Sequence, residues 1–369
     1  MELINATRMV AGLNMGLAPS GRELLVVVVK GTFALPRDSE KFRLHEAQAP
    51  LILADTFTGE PGLSSPVKEI DFAPHKRCCD VLLTGAAYAP EGYEVTRQRV
   101  GLRVGPLSKS FDVVGDRTWQ ASLTGIRASS PQRFSRLPIS YDVAFGGTDR
   151  RGEDESKHDA YLPNPVGRGW HKDLRNTFVD GQPLPNTEES GTPVAFPNKR
   201  YVPMSFGPLG RGWPSRSRYA GTYDDKWLAD EFPFLPKDFD ERYYQAAPSD
   251  QQLDLPQGPL DVELIGLTLD GTRRFSLPYF EAPVHVFLAR GGRQDLTAAL
   301  DTIVFEPELE RFTMTWRASL PLKKSLHEVA QVMVGKKGRE WWQQREVSFP
   351  MPVVMVPMGP AAPVQEVPA

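Results

Sequence analysis

Apolar positions along this chain fall mostly in short runs. Residues 23–35 are apolar at nearly consecutive positions, which predicts a strand covered on both faces. Residues 51–54 and 81–87 are similar, shorter runs. Val100, Leu102 and Val104 alternate with Gly101 and Arg103, the period of two of a half-buried strand, and Phe111 and Val113 continue it before the turn at Gly115-Asp116. The signal returns after residue 260. Val262, Leu264 and Ile265 lie in one run, and Val284, Val286 and Leu288 share a face of another, with His285 expected on its solvent side. Phe312, Met314 and Trp316 alternate with Arg311, Thr313, Thr315 and Arg317, which predicts the clearest half-exposed strand in the chain. One helix is predicted near 325–334. Ser325 and Glu328 form a capping box, Leu326, Val329, Ala330 and Met333 follow helical spacing, and Gly335 can end it.

Between residues 129 and 250 the periodicity fades, yet aromatics are dense. Disordered segments are poor in aromatics, so this stretch reads as ordered, irregular chain laid over the sheets with rings as anchors. Only residues 224–232, with Trp227 and Leu228, predict a short helix there. The expected fold is mainly β, with antiparallel sandwich or barrel-like sheets, a long irregular central region and few short helices. Its parts are an N-terminal β-rich region (1–128), the irregular region (129–250), a C-terminal β-rich region carrying the helix (251–350) and a mostly mobile tail (351–369). The 34 prolines and 31 glycines agree, because they break long helices and favour turns.

Charge and cysteines narrow the chemistry. A formal net charge of −3 gives no general attraction to nucleic acid or membrane. Cys78 and Cys79 are the only cysteines, and a vicinal pair does not suit an ordinary structural disulfide. With no basic-then-apolar leader at the start and no run near the ~20 residues that span a bilayer, a cytoplasmic setting is expected. His75 and Cys78 have a metal-like spacing but lack a second ligand cluster, so one buried thiol is the simpler reading and no metal or cofactor is expected. The glycine-rich residues 207–212 follow no strand and open no helix, which predicts a turn rather than a phosphate cradle. No nucleophile elbow, zinc-protease motif or Walker loop occurs.

The most suggestive feature is a separation of charge. Lys199, Arg200, Arg211, Arg216 and Arg218 lie among Phe196, Tyr201, Phe206 and Trp213 without an acid, and an acid-rich stretch follows from Asp224 to Glu241. Arginine, tryptophan and tyrosine dominate binding hot spots, so Arg211, Trp213, Arg218, Tyr219 and Trp227 are the expected partner-binding residues. The competing expectation is that the basic and acidic halves pair with each other while the rings fill the core.

Several stretches resemble one bacterial family. They include Val27-Val28-Val29-Lys30-Gly31-Thr32-Phe33, Ala54-Asp55-Thr56-Phe57-Thr58-Gly59-Glu60-Pro61-Gly62, Asp71-Phe72-Ala73-Pro74-His75-Lys76 and Ser140-Tyr141-Asp142-Val143-Ala144-Phe145-Gly146-Gly147. Asn164-Pro165-Val166-Gly167-Arg168-Gly169, Phe206-Gly207-Pro208-Leu209-Gly210-Arg211, Tyr219-Ala220-Gly221-Thr222-Tyr223-Asp224 and Ala246-Ala247-Pro248-Ser249-Asp250-Gln251 extend the match. Over most of residues 1–300 the chain is similar to domain-of-unknown-function family 2169. That resemblance implies an adaptor or chaperone of the type VI secretion system, which binds a secreted effector and helps load it onto the spike or spike-tip proteins. It implies no catalytic residues. The expectation is therefore a non-enzymatic adaptor. The alternatives are a hydrolase whose site assembles around His75, Asp55 and Asp71, and a nucleic-acid binder working through residues 196–218.

Overall fold

A computed structural model describes residues 1–37, 40–90, 93–149 and 158–348; the predicted tail at 351–369 lies outside them. The chain is mainly β, as its patterning predicts. A nine-stranded sheet curls into a nearly closed barrel-like wall, and a five-stranded sheet packs on it.

The wall is built from β1 (Glu2–Asn5), β2 (Val10–Leu17), β3 (Glu23–Ala34) and β4 (Cys79–Leu83). The second sheet contributes β5 (Arg97–Val104), β6 (Leu107–Val114) and β7 (Thr187–Glu188). Then come β8 (Gln252–Leu253) in the wall, and β9 (Leu260–Ile265) and β10 (Thr272–Leu277) in the second sheet. The wall resumes with β11 (Ala282–Leu288), β12 (Arg293–Glu306), β13 (Arg311–Pro321) and β14 (Val329–Val334). Along the wall the order is β1-β14-β11-β12-β13-β3-β2, and the second sheet runs β7-β6-β5-β9-β10.

β12 has two neighbours on one side. Its first half pairs with β11, its second half runs parallel to β4, and β4 in turn carries β8. The switch falls at Asp301, where the register against β13 also slips by a residue. β1 lies parallel to β14, so among the described residues the first strand is held by the last.

Leu25, Val27, Val29 and Phe33 of β3 meet Phe305, Phe312, Met314 and Trp316 of the wall, and Val100, Phe111 and Leu264 from the second sheet complete this core. The opposite face of β3 places Leu24, Val26 and Val28 under Leu51 and Phe72. The predicted double coverage of residues 23–35 is therefore real. Residues 51–54, expected as a strand, instead form irregular chain that seals this outer face.

Two further expectations are corrected. The strand at Arg311–Pro321 is buried on both faces, not half-exposed. Its polar face, with Thr313, Thr315 and Arg317, is covered by the segment around residues 49–76, and the charges there are matched one by one. Lys30 meets Asp71 at 2.8 Å, Lys76 meets Asp80 at 2.7 Å, and Arg317 meets Asp301 at 2.5 Å. Burial raises the Asp301 carboxyl above its usual range, against the pull of Arg317. A cavity of about 100 Å³ remains within this ionic layer. Alternation of apolar and polar residues marks two chemically different faces; it does not say that the polar face is wet.

The helix near 325–334 is the second correction. The Ser325–Glu328 capping box forms, but it caps one 3-10 turn at Leu326–Glu328. Val329–Val334 then extends as β14 between β1 and β11. Valines at 329, 332 and 334 suit a pleated, buried position, and two flanking ladders outweigh the local helical spacing. A C-terminal helix does occur, at Arg339–Ser348. Its Trp342 covers His285, whose Nδ1 donates to the Asp295 carboxylate at 2.6 Å, so the ring is packed rather than simply solvent-facing.

Candidate functional site

The segment 209–245 leaves the core of the fold with an anchored inner layer and an outer aromatic layer. Trp213 is only 7% exposed and meets the buried Tyr141 ring edge-on at 5.1 Å. Gly210 makes room for it, since a Cβ there would lie 2.5 Å from the Trp213 Nε1. Arg216 is buried and donates to the Tyr243 and Leu209 carbonyls and to Glu69. Arg211 donates to Asp55 at 2.6 Å and also reaches Glu69 at 2.7 Å. Burial pushes the Asp55 carboxyl up, but the Arg211 hydrogen bond and the Ile70 N–H more than compensate and hold it below the usual carboxylate range. Two guanidiniums therefore converge on Glu69. They lock this loop to residues 55–69.

Above this layer Tyr219 carries two guanidiniums, Arg218 at 4.7 Å and Arg242 at 4.2 Å from its ring centre. Arg242 is committed to Asp240, and its hydrogen bonds hold that carboxyl at about 2. Arg218 is exposed. Both arginines and Tyr219 line a groove of about 610 Å³ whose floor includes Tyr141, Pro203 and Lys109. Burial lowers the Lys109 ammonium below its usual value, opposed by Asp250.

The outermost part is a small knob around the helix α1 (Asp225–Asp230). Asp224 caps it by accepting the Trp227 N–H at 2.8 Å. The Trp227 ring meets Tyr223 at 4.7 Å and Phe232 at 5.6 Å, and its Nε1 donates to the Phe234 carbonyl. Phe234 rests on Gly21 in the turn between β2 and β3, where the backbone has a φ of +78° and no side chain would fit. Thr222 ties the base of the knob to Asp238 through both its N–H and its hydroxyl. The knob is thus fixed, yet Tyr223, Leu228, Phe232 and Phe234 are 54%, 60%, 61% and 47% exposed. Single exposed apolar residues are ordinary on protein surfaces; here four lie together around Trp227, whose ring contacts Tyr223 and Phe232, and form a candidate interaction patch.

The five residues predicted from sequence therefore separate by depth. Trp213 and Arg211 are internal supports, whereas Arg218, Tyr219 and Trp227 reach the outer layer. The two charge halves mostly do not pair with each other: Arg211 and Arg216 turn instead to Asp55 and Glu69, far earlier in the chain. Sequence reasoning named Asp55 only for a hydrolytic site and missed its pairing with Arg211, and it missed Glu69, Tyr223, Leu228, Phe232 and Phe234 as site residues. A signal for the knob was present, in the rings and leucine interleaved with acids that have no core-facing period.

The other candidates have separate environments. His75 stands 4.0 Å from Glu241, Asp55 accepts from Arg211, and Asp71 accepts from Lys30 and the Ile52 N–H. Both cysteines are free; Cys79 is the buried thiol, and burial raises both thiols above their usual range. Among the described residues no His, Cys, Asp and Glu side chains cluster as a metal site, and no helix is long and apolar enough to cross a membrane.

Fold and face together define a β-barrel-based protein with a preformed aromatic surface. By its match over residues 20–317, the chain belongs to the family described as uncharacterized protein conserved in bacteria, DUF2169. No curated protein and no solved structure matches it.

Proposed function

We propose that this protein is a non-enzymatic adaptor or chaperone that holds a type VI secretion effector in the cytoplasm and assists its loading onto the spike complex. The observation that carries the binding part of this reading is the fixed knob in which the rings of Tyr223, Phe232 and Phe234 and the side chain of Leu228 face solvent around a half-buried Trp227. Apolar anchors that are already ordered reduce the entropy lost on association, and a polar surround permits release. The groove beside Arg218 and Tyr219 extends the contact area toward the ~800 Å² per partner of a stable interface. The identity of the partner rests on the family resemblance alone.

A basic nucleic-acid track has less support, because Arg211 and Arg216 are engaged by carboxylates. Pull-down of the effector encoded beside the gene tests the proposal. A complex that protects the effector on co-expression is expected. No complex, with effector stability unchanged, removes the reading.

A further inference from the structure

We infer that the segment seated on the knob is basic: a short amphipathic stretch with apolar side chains flanked by lysine or arginine. The inference rests on the adaptor reading and specifies the chemistry of its partner. Its ground is the charge that surrounds the rings.

Asp224, Asp225, Asp230, Glu231 and Asp238 stand in and around the knob, against Lys226 and Lys237. Three of the acids have structural duties. Asp224 caps α1, Glu231 meets Lys237 at 2.9 Å, and Asp238 holds Thr222. Asp225 and Asp230 are exposed, and among the described residues neither has an ion pair or side-chain hydrogen bond. Although Lys237 also acts on Asp230, acids outnumber cations at the margin of this apolar surface, which favours cationic neighbours and repels anionic ones as a partner approaches. The anchors supply affinity, and the margin selects sign.

Two other occupants fit less well. Residues 349–369 of this chain carry Glu366 as their only charged side chain, so they offer no cation. A second copy related by a two-fold axis would bring the same acids face to face.

The test is a random-peptide display selection on the immobilised full-length protein, run in parallel on a Leu228→Ser/Phe232→Ser bait. Both replaced side chains are solvent-facing, so melting temperatures of the two baits should agree. Peptides enriched on the wild type and lost on the variant should carry net positive charge beside apolar residues. A synthetic copy of the best peptide should weaken about two- to five-fold for each of Asp225→Asn and Asp230→Asn, the usual worth of an exposed pair, and that loss should shrink in high salt. Knob-dependent peptides that are neutral or acidic overturn the inference while leaving the adaptor reading intact. So does a library that yields no knob-dependent peptide; the effector pull-down then decides the adaptor reading separately. Self-association abolished by the same two substitutions, or peptide binding gained only on deleting residues 349–369, overturns it in favour of a second copy or the chain's own tail.

Discussion

Lys30 and Asp71 meet at 2.8 Å with both side chains less than a tenth exposed, one projecting from the longest-buried strand and the other from the chain laid over it. The same Asp71 oxygen also accepts the Ile52 N–H, so one carboxylate fastens the outer segment to the wall at two points. Removing one member of a buried pair leaves the other charge uncompensated, which typically costs about 3–5 kcal/mol. Lys30→Ala should therefore lower the unfolding free energy by about that much in urea. Lys30→Met combined with Asp71→Leu should recover much of the loss. If the double variant is no more stable than the single one, the penalty does not come from the stranded charge.

Arg211 and the knob should behave oppositely. Arg211→Ala leaves Asp55 and Glu69 without a shared donor, and should cost about 1–3 kcal/mol by the usual worth of charged hydrogen bonds. Leu228→Ser with Phe232→Ser should change stability by about 0.5 kcal/mol or less while abolishing effector capture. Denaturation midpoints and pull-downs on the two proteins separate support from contact. Wild-type capture by the knob variant would assign binding to another surface.

Gly21 couples the knob to the barrel. An alanine there must hold a left-handed backbone, at about 1–2 kcal/mol, and its Cβ would meet the Phe234 ring at 2.6 Å. Gly21→Ala should lower stability by about that amount. It should also weaken effector capture, because Phe234 must move. A variant with unchanged melting and unchanged capture would show that the turn does not set the knob's position.

Acid should weaken the fold through identifiable carboxyls. In Asp55, Asp112 and Glu306 burial acts to raise the value, but hydrogen bonds from Arg211, from Ser190, Arg99 and Arg97, and from Arg311 and Lys68 bring each below its ordinary range. A depressed folded value means that the stabilisation is complete above the unfolded values of about 3.9–4.3 and is lost as pH falls through the folded ones. Buried Asp301 is shifted upward and contributes with the opposite sign, so it softens the decline. Urea midpoints should be nearly flat from about pH 5 to 7 and fall below about pH 4. Asp55→Asn should make that acid decline shallower; an unchanged slope would remove Asp55 from the set.

Strands were readable where side-chain period and burial coincide, as in Glu23–Ala34 and Arg97–Val104. What covers a polar face was not readable, because Lys30, Asp71 and Arg317 become partners only through contacts spanning many residues. The same limit hid Asp55 and Glu69 behind Arg211. Val329–Val334 shows a local signal losing to a distant one: its helical spacing is real, but two neighbouring strands offer more hydrogen bonds than an isolated turn can. In the knob, Trp227 was legible as a lone hot-spot type, whereas its companions needed the ring geometry to be recognised.

The parallel seam between Glu2–Asn5 and Gln331–Val334 also bears on how the molecule is made. The amide of Gln331 bonds Glu2 across 329 positions, so the barrel cannot shut until nearly the whole wall has left the ribosome. Until then the oily strand at Glu23–Ala34 lacks β13, its later-made partner, and is open to mispairing. Closure of so non-local a seam is slow, so that strand stays unpaired for longer than it would in a fold built from local contacts.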